Sequence, residues 1–280
     1  MKNKPSKEKN GYRLVVKANE LVQLSETKMS LAEMRAFAYI VAQLDYTKEN
    51  TGYAVVAFRR ADFCRAVGIR SSSGGNNKYL EDVIEQLQKT LLLVEKDGNI
   101  EKINLLTKSI RPKNPTALEK ETVSVEIHRD ILPFLTGLKK NFTEYTLENV
   151  MGLKSKHAFR LYEFLKSFHS GLHTASIERL KKICPGEYET VADYIRKTIT
   201  PAIKEINEKT DLFVEWEKKK NGRYVVAIVF NVVEKQDIDE DGEPVDVVDE
   251  PDEFGVDKPW TQLSFDDVAA TEVAAPGDDE

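Results

Sequence analysis

Residues 188–230, YETVADYIRKTITPAIKEINEKTDLFVEWEKKKNGRYVVAIVF, admit few folds because the hydrophobic period changes abruptly inside them. Between Val191 and Lys209 the residues Ile195, Ile199, Ala202, Ile203 and Ile206 recur at helical spacing and share one face, leaving Arg196, Lys197, Thr200 and Lys204 outside. After Asp211, residues 212–216 and 224–230 read as strands, divided by Lys218, Lys219, Lys220, Asn221, Gly222 and Arg223. Asn-Gly tolerates the positive φ of a primed turn, so the pair predicts a hairpin. A cationic helix face beside a cationic hairpin tip suits a groove flanked by phosphates. Pro201 lacks the amide a helix interior needs, which predicts a kink or restart with Thr200 as cap. The expected reader is therefore the first half of the helix, with Lys204 turned away from bases.

The same order of elements precedes this stretch. Ser30-Leu31-Ala32-Glu33 is a capping box opening an apolar helix to about residue 44. Residues 53–58 read as a strand, 60–67 as a short helix closed by Gly68, 71–77 as a polar turn, and 78–91 as a helix burying Leu80, Val83, Ile84, Leu87 and Leu91. Strands at 92–96 and 100–106 flank Asp97-Gly98. Helix, strand, helix, helix, hairpin is the order of a winged helix-turn-helix. Residues 107–121, with two prolines, read as a linker, and 122–145 as a bridge containing a strand, a short helix at 131–138 and an extended segment. Ser155 then caps a helix with the stripe Ala158, Leu161, Tyr162, Leu165 and Phe168, followed by a short helix at 177–184 and the opening stretch. The expected fold is α+β: two tandem winged helix-turn-helix domains related by pseudo-duplication, with Ala36-Phe37 matching Ala158-Phe159. The expected divisions are a flexible basic arm at 1–12, a first domain with linker at 13–121, a second domain at 122–235, and a disordered acidic tail at 236–280.

The formal net charge of −6 averages two unlike parts. Residues 237–280 hold 17 acids and one lysine, so residues 1–236 carry a net +10. Cys64 and Cys184 have no metal or redox spacing and read as buried, reduced thiols. The charged start MKNKPSKEKN predicts no secretory signal, and no run of 18 apolar residues exists, so a cytosolic protein without membrane contact is expected. His169 and His173 are four apart, but Gly171 between them argues against a metal-holding helix face. No His-x-His, phosphate-loop or G-x-S-x-G pattern occurs among the residues, so neither an enzyme nor a cofactor is expected.

The segments VSVEIHRDILPFLTGLKKNFTEYTLENVMGLKSKHAFRLYEFLKSF and ITPAIKEINEKTDLFVEWEKKKNGRYVVAIVF, above all LKSKHAFRLYE, resemble the plasmid replication initiators that bind tandem origin repeats through two winged helices. NELVQLSETKMSLAEMRAFAYIVAQL in the first half is similar to them too, and the resemblance spans about residues 13–235. It implies binding of double-stranded origin repeats, opening of an adjacent AT-rich region, and recruitment of the host initiator and helicase. It also implies dimers, formed through the first domain, that repress the protein's own gene. The residues themselves support DNA binding: Arg196 and Lys197 as base readers, with Thr190, Thr200, Lys204, Lys218, Lys219, Lys220 and Arg223 on phosphates, and Asn76, Asn77 and Lys78 touching backbone from the first domain. In the tail, Gln262, Leu263 and Phe265 resemble, with one apolar residue missing, the peptide that docks on the bacterial sliding clamp. A dimeric transcriptional regulator and a DNA-bridging partition protein are the alternative readings.

Overall fold

The structure is a computed structural model and describes residues 8–9, 12–24, 28–50, 52–66, 75–96, 99–110, 122–168 and 170–235. Gln262, Leu263 and Phe265, the turn at 97–98 and His169 lie outside the described residues, as do the side chains of Asn76, Asn77 and Lys78.

Among the described residues the first elements are β1 (Glu8–Lys9) and β2 (Tyr12–Ala18), which pair antiparallel, so part of the expected free arm is strand. α1 (Asn19–Leu24) leads to α2 (Leu31–Val41), whose capping box is complete: Ser30 Oγ accepts from Glu33 N, and Glu33 accepts from Ser30 N at 2.9 Å. Ala36, Phe37, Ala38, Tyr39, Ile40 and Val41 are all buried, as an apolar helix surface requires. β3 (Ala54–Arg59), α3 (Arg60–Ala66), α4 (Gly75–Lys89), β4 (Leu91–Lys96) and β5 (Asn99–Asn104) complete the first helix–strand–helix–helix–hairpin series. α4 starts three residues earlier than its apolar pattern suggested, so Asn76, Asn77 and Lys78 stand in its first turn and not in a free loop.

Two expectations for residues 107–145 are corrected by strand pairing. Residues 107–110 of the expected linker belong to β6 (Leu106–Ile110), and β7 (Thr122–Ile127) lies between β3 and β6 in one antiparallel sheet. The division expected at 121–122 thus falls inside the first half's own sheet. β7 alternates Val123, Val125 and Ile127 into the core, and β3 answers with Ala54, Val56 and Phe58. The short helix expected at 131–138 is only a 3₁₀ turn, Leu132–Phe134. β8 (Phe142–Thr146) returns to β2, giving the order β1-β2-β8, and α5 (Leu147–Met151) follows.

α6 (Lys156–Lys166) opens the second series, with Ser155 Oγ accepting from the amides of His157 and Ala158. β9 (Gly171–Ser176), α7 (Ile177–Ile183), α8 (Val191–Tyr194), a π-helical turn (Ile195–Ile199), α9 (Thr200–Lys209), β10 (Leu212–Asn221) and β11 (Tyr224–Glu234) follow. Here β9 pairs with β11, giving β10-β11-β9. In the first half the equivalent strand pairs away from its hairpin, leaving β4-β5 as a separate sheet. The two halves repeat element order but not pairing. His173 lies on β9 with its ring stacked on Phe168 at 4.7 Å, so it occupies a strand and no helical i,i+4 face.

A single core runs through both halves, and α6 is the element they share. Glu163, 2% exposed, accepts Lys17 Nζ from β2 at 2.6 Å, Tyr145 Oη from β8 at 2.6 Å and Arg160 at 3.4 Å. Burial alone would raise its carboxyl, but the charges of Lys17 and Arg160 and the bonds from Lys17 and Tyr145 hold it below the usual range. On another side of the same helix Tyr162 Oη donates to Asp211 at 2.8 Å, and Lys166 bridges Asp211 and Glu234 at the base of the β10–β11 hairpin.

Candidate nucleic-acid interface

The helix from Val191 to Lys209 is built with one side in the core. Ile195, Ile199, Ala202, Ile203 and Ile206 are buried, as their spacing predicts, and Tyr194 and Thr198 join them. Thr190 is the N-cap: its hydroxyl accepts Asp193 N at 3.1 Å, so its oxygen already serves the helix. Tyr194 Oη donates to Cys184 O at 3.1 Å, tying α8 to the end of α7.

The helix neither breaks nor restarts at Pro201, and Thr200 is not a cap. Thr200 has helical φ and ψ of −58° and −47°, and its amide bonds to Ile195 O, five residues back. This wide turn absorbs the proline. The i→i+5 pitch already takes the backbone off the α register just before Pro201, where an ordinary α-helix would meet a missing donor and a clash with the fourth carbonyl back.

On the outer face Arg196 and Lys197 are 71% and 52% exposed, open to a ligand. Both lean on Asp193, at 2.6 Å and 3.7 Å, and Lys197 also lies 5.8 Å from the Tyr188 ring centroid. The bond from Arg196, then the charge of Lys197, hold the Asp193 carboxyl below its usual range, so it stays anionic and pre-orients the guanidinium. Thr200 is exposed one turn on, whereas Lys204 stands 3.9 Å from Glu208 farther along the helix, past the wide turn.

The hairpin is longer than its sequence pattern. β10 and β11 pair as far as Asn221↔Tyr224, so the two central turn residues are Gly222 and Arg223, and Asn221 belongs to the strand. Gly222 takes φ 56° at the first central position, where only glycine is free of strain. Strand alternation from Leu212, Val214 and Trp216 extends to Lys218, which is exposed; the register then shifts between Lys219 and Lys220, and Lys220 is exposed as well. Lys219 falls on the reverse face with Glu215 and Glu217 and is half-buried. Arg223 donates to Tyr224 Oη at 2.9 Å and lies 5.1 Å from that ring.

Three residues escaped the sequence pattern. Tyr224, 63% exposed at the hairpin tip, presents an aromatic face beside Arg223. Lys181 and Lys182 are exposed in the last turn of α7, next to the long helix, with Lys181 Nζ 5.9 Å from the Tyr194 ring. The Lys-Lys pair was the only sequence signal for these. The first half offers less charge, since Arg60 pairs with Glu81 at 3.0 Å and Lys89 with Glu85 at 2.6 Å around α4.

Among the described residues no group of three metal-ligating side chains occurs, and no helix is long and apolar enough to cross a membrane. Cys64 and Cys184 are buried free thiols, and burial pushes Cys184 up to about 12.

Among curated proteins the chain is 29% identical over 116 residues to an Escherichia coli protein described as an uncharacterized 27.6 kDa protein. That match takes in 40% of this chain and 47% of the relative, so the chain spans about half the relative's length. Among solved structures, the Pi initiator protein in complex with iteron DNA superposes with a TM-score of 0.65 at 20% identity, over 81% of this chain and 99% of that one. Domains 2 and 3 of RctB reach a TM-score of only 0.43 at 13% identity, over 81% and 89%. The sequence pattern of the WH1 domain of initiator replication proteins matches residues 14–166, taking in β7 and α6, and that of the WH2 domain matches residues 176–232. With these two patterns covering most of its length, the chain belongs to the initiator replication protein family.

Proposed function

We propose that the protein initiates plasmid replication by binding tandem repeats of double-stranded origin DNA, reading bases with Arg196 and Lys197. The observation that carries this is the exposed cationic pair on the outer face of a helix whose inner face is anchored in the core. In a winged helix that face enters the major groove, where Arg and Lys donate to guanine O6 and N7. Lys218, Lys220 and Arg223 on the hairpin, with Thr190, Thr200 and Lys204 on the helix, contact phosphates; Lys219, on the reverse face, contributes through longer-range charge. Asn76, Asn77 and Lys78 at the start of α4 meet backbone one turn of DNA away. The solved protein of like fold is itself bound to iteron DNA, which supports tandem repeats as the target.

Dimers through the first domain repress the protein's own gene, and the DNA-bound monomer recruits the host initiator and helicase. The dimer reading has support in β3 and β6, which are the outer strands of their sheet and carry the exposed residues Val55 and Ile110. Gln262, Leu263 and Phe265 add a docking segment for the sliding clamp. The test is footprinting on the DNA beside the coding gene: protection of tandem direct repeats is expected. Protection of a single inverted repeat alone would identify a repressor instead.

A further inference from the structure

The two halves meet at a four-residue turn, 152–155, between α5 and α6, and three charged side chains take up its backbone groups in succession. Lys209 Nζ donates to Gly152 O at 3.3 Å, and Arg35 donates to Leu153 O. Glu205 accepts Lys154 N at 2.6 Å and Ser155 N at 3.1 Å, one on each carboxylate oxygen. Glu205 and Lys209 are themselves paired, one turn apart on α9. Thus the second half's long helix contributes two of the three side chains, and α2 of the first half the third.

This arrangement is more than a surface ion pair. The Glu205 side chain is only 14% exposed. Burial would raise its carboxyl, but Lys209 and the two turn amides outweigh that and hold it below the usual range. Arg35 has its Nε buried with no hydrogen-bond partner, and burial holds its guanidinium below the usual range, countered only in part by Tyr79 and Glu205. A bidentate acceptor on two successive amides fixes both the position and the rotation of the turn, which a single bond does not.

We infer that Glu205 is a positioning residue: by clamping the 152–155 turn to α9, with Arg35 and Lys209, it fixes the phase of the second half's reading helix relative to α4. It thereby sets which spacing of the two DNA contact segments the protein accepts. This rests on the DNA reading above only for its consequence, since the clamp itself is a property of the free protein.

Two measurements on the full chain test it. Spin labels on cysteines placed at the exposed sites Glu85 of α4 and Lys204 of α9 report the interhelix distance; the native thiols are buried. A single narrow distribution is expected without Glu205 substitution, and at least a doubling of its width in Glu205→Ala. Arg35→Met and Lys209→Met, each loosening one bond of the same turn, are expected to broaden it less. Should Glu205→Ala not fold, those two variants decide alone. The second measurement uses duplexes from the DNA beside the coding gene, unaltered or with one to five base pairs inserted between the two protected segments. The unsubstituted protein is expected to lose at least tenfold in affinity at five inserted pairs, half a helical turn. Glu205→Ala is expected to start about tenfold weaker and to lose less than threefold further. Glu205→Gln keeps one acceptor and should fall between. A narrow distance distribution in every variant, or a spacing profile as steep in Glu205→Ala as in the parent, overturns the inference. No sequence-selective binding by the unsubstituted protein would sink the DNA reading, while the distance measurement would still decide the clamp.

Discussion

Single residues carry both the proposed DNA reading and the stability of this molecule, by different physics. Arg196 and Lys197 share one carboxylate, Asp193, so a DNA partner must outcompete a short exposed pair that salt already weakens. Arg196→Ala is expected to cost about 1–3 kcal/mol on the preferred site and almost nothing on random duplex. Lys218→Ala and Lys220→Ala are expected to weaken both alike, as phosphate contacts do. Titrations of each variant on specific and random DNA check this, and equal losses for Arg196→Ala would remove its role as base reader. Glu163 is the opposite case, a buried carboxylate enclosed by Lys17, Arg160 and Tyr145. Its folded-state pKa is depressed, so its contribution is full above the unfolded value, about 4.3, and is lost as pH falls through the folded one. Urea melts should show a loss of stability beneath about pH 4 that is absent in Glu163→Gln. At neutral pH, Glu163→Ala should cost about 3–5 kcal/mol by removing the buried carboxylate that pairs with Lys17.

At the scale of elements, what the sequence made legible was local. The capping box at Ser30 and Glu33, the Ser155 cap and the isoleucine stripe of the long helix all follow from neighbours within one or two turns. What it did not make legible was pairing across distance. β7 seats between β3 and β6, partners about 70 and 20 residues away, and nothing in TVSVEI distinguishes that seat from one in a second domain. Pro201 was legible as a disturbance but not as its remedy, since a π turn leaves no compositional mark. Of the site, the charged residues were evident while their facing was not: Lys219 turns to the reverse of the sheet only because β10 runs to Asn221. The tip itself is testable. At Gly222 an added Cβ would meet no atom within 4 Å, so Gly222→Ala isolates backbone strain at φ 56° and should cost about 1–2 kcal/mol. Gly222→Asn should cost less, and thermal melts would reveal equal losses if crowding were the cause.

For the whole molecule, opposite charges are kept in separate parts of one chain: a net +10 over residues 1–236 and −16 over 237–280. A DNA complex using about six phosphate contacts should lose affinity with a log–log salt slope of roughly −5. Removing residues 237–280 is expected to tighten binding to random duplex several-fold at low salt, because an attached polyanion competes for the same cations. Unchanged affinity after truncation, measured at two ionic strengths, would count against that competition. The wide turn at Ile195–Ile199 has its own consequence at this scale. It holds one residue more than an α-helical turn needs, so the chain can lose a residue there and remain helical. Each residue of α-helix is about 100° of rotation. Deleting Thr198 would therefore close the turn to α pitch with Tyr194 on one side and Ile203 and Ile206 on the other still seated, and would shift only the side chains inside the turn, Arg196 and Lys197 among them. A change in chain length alone would thus alter the proposed DNA preference, with Arg196 and Lys197 both retained.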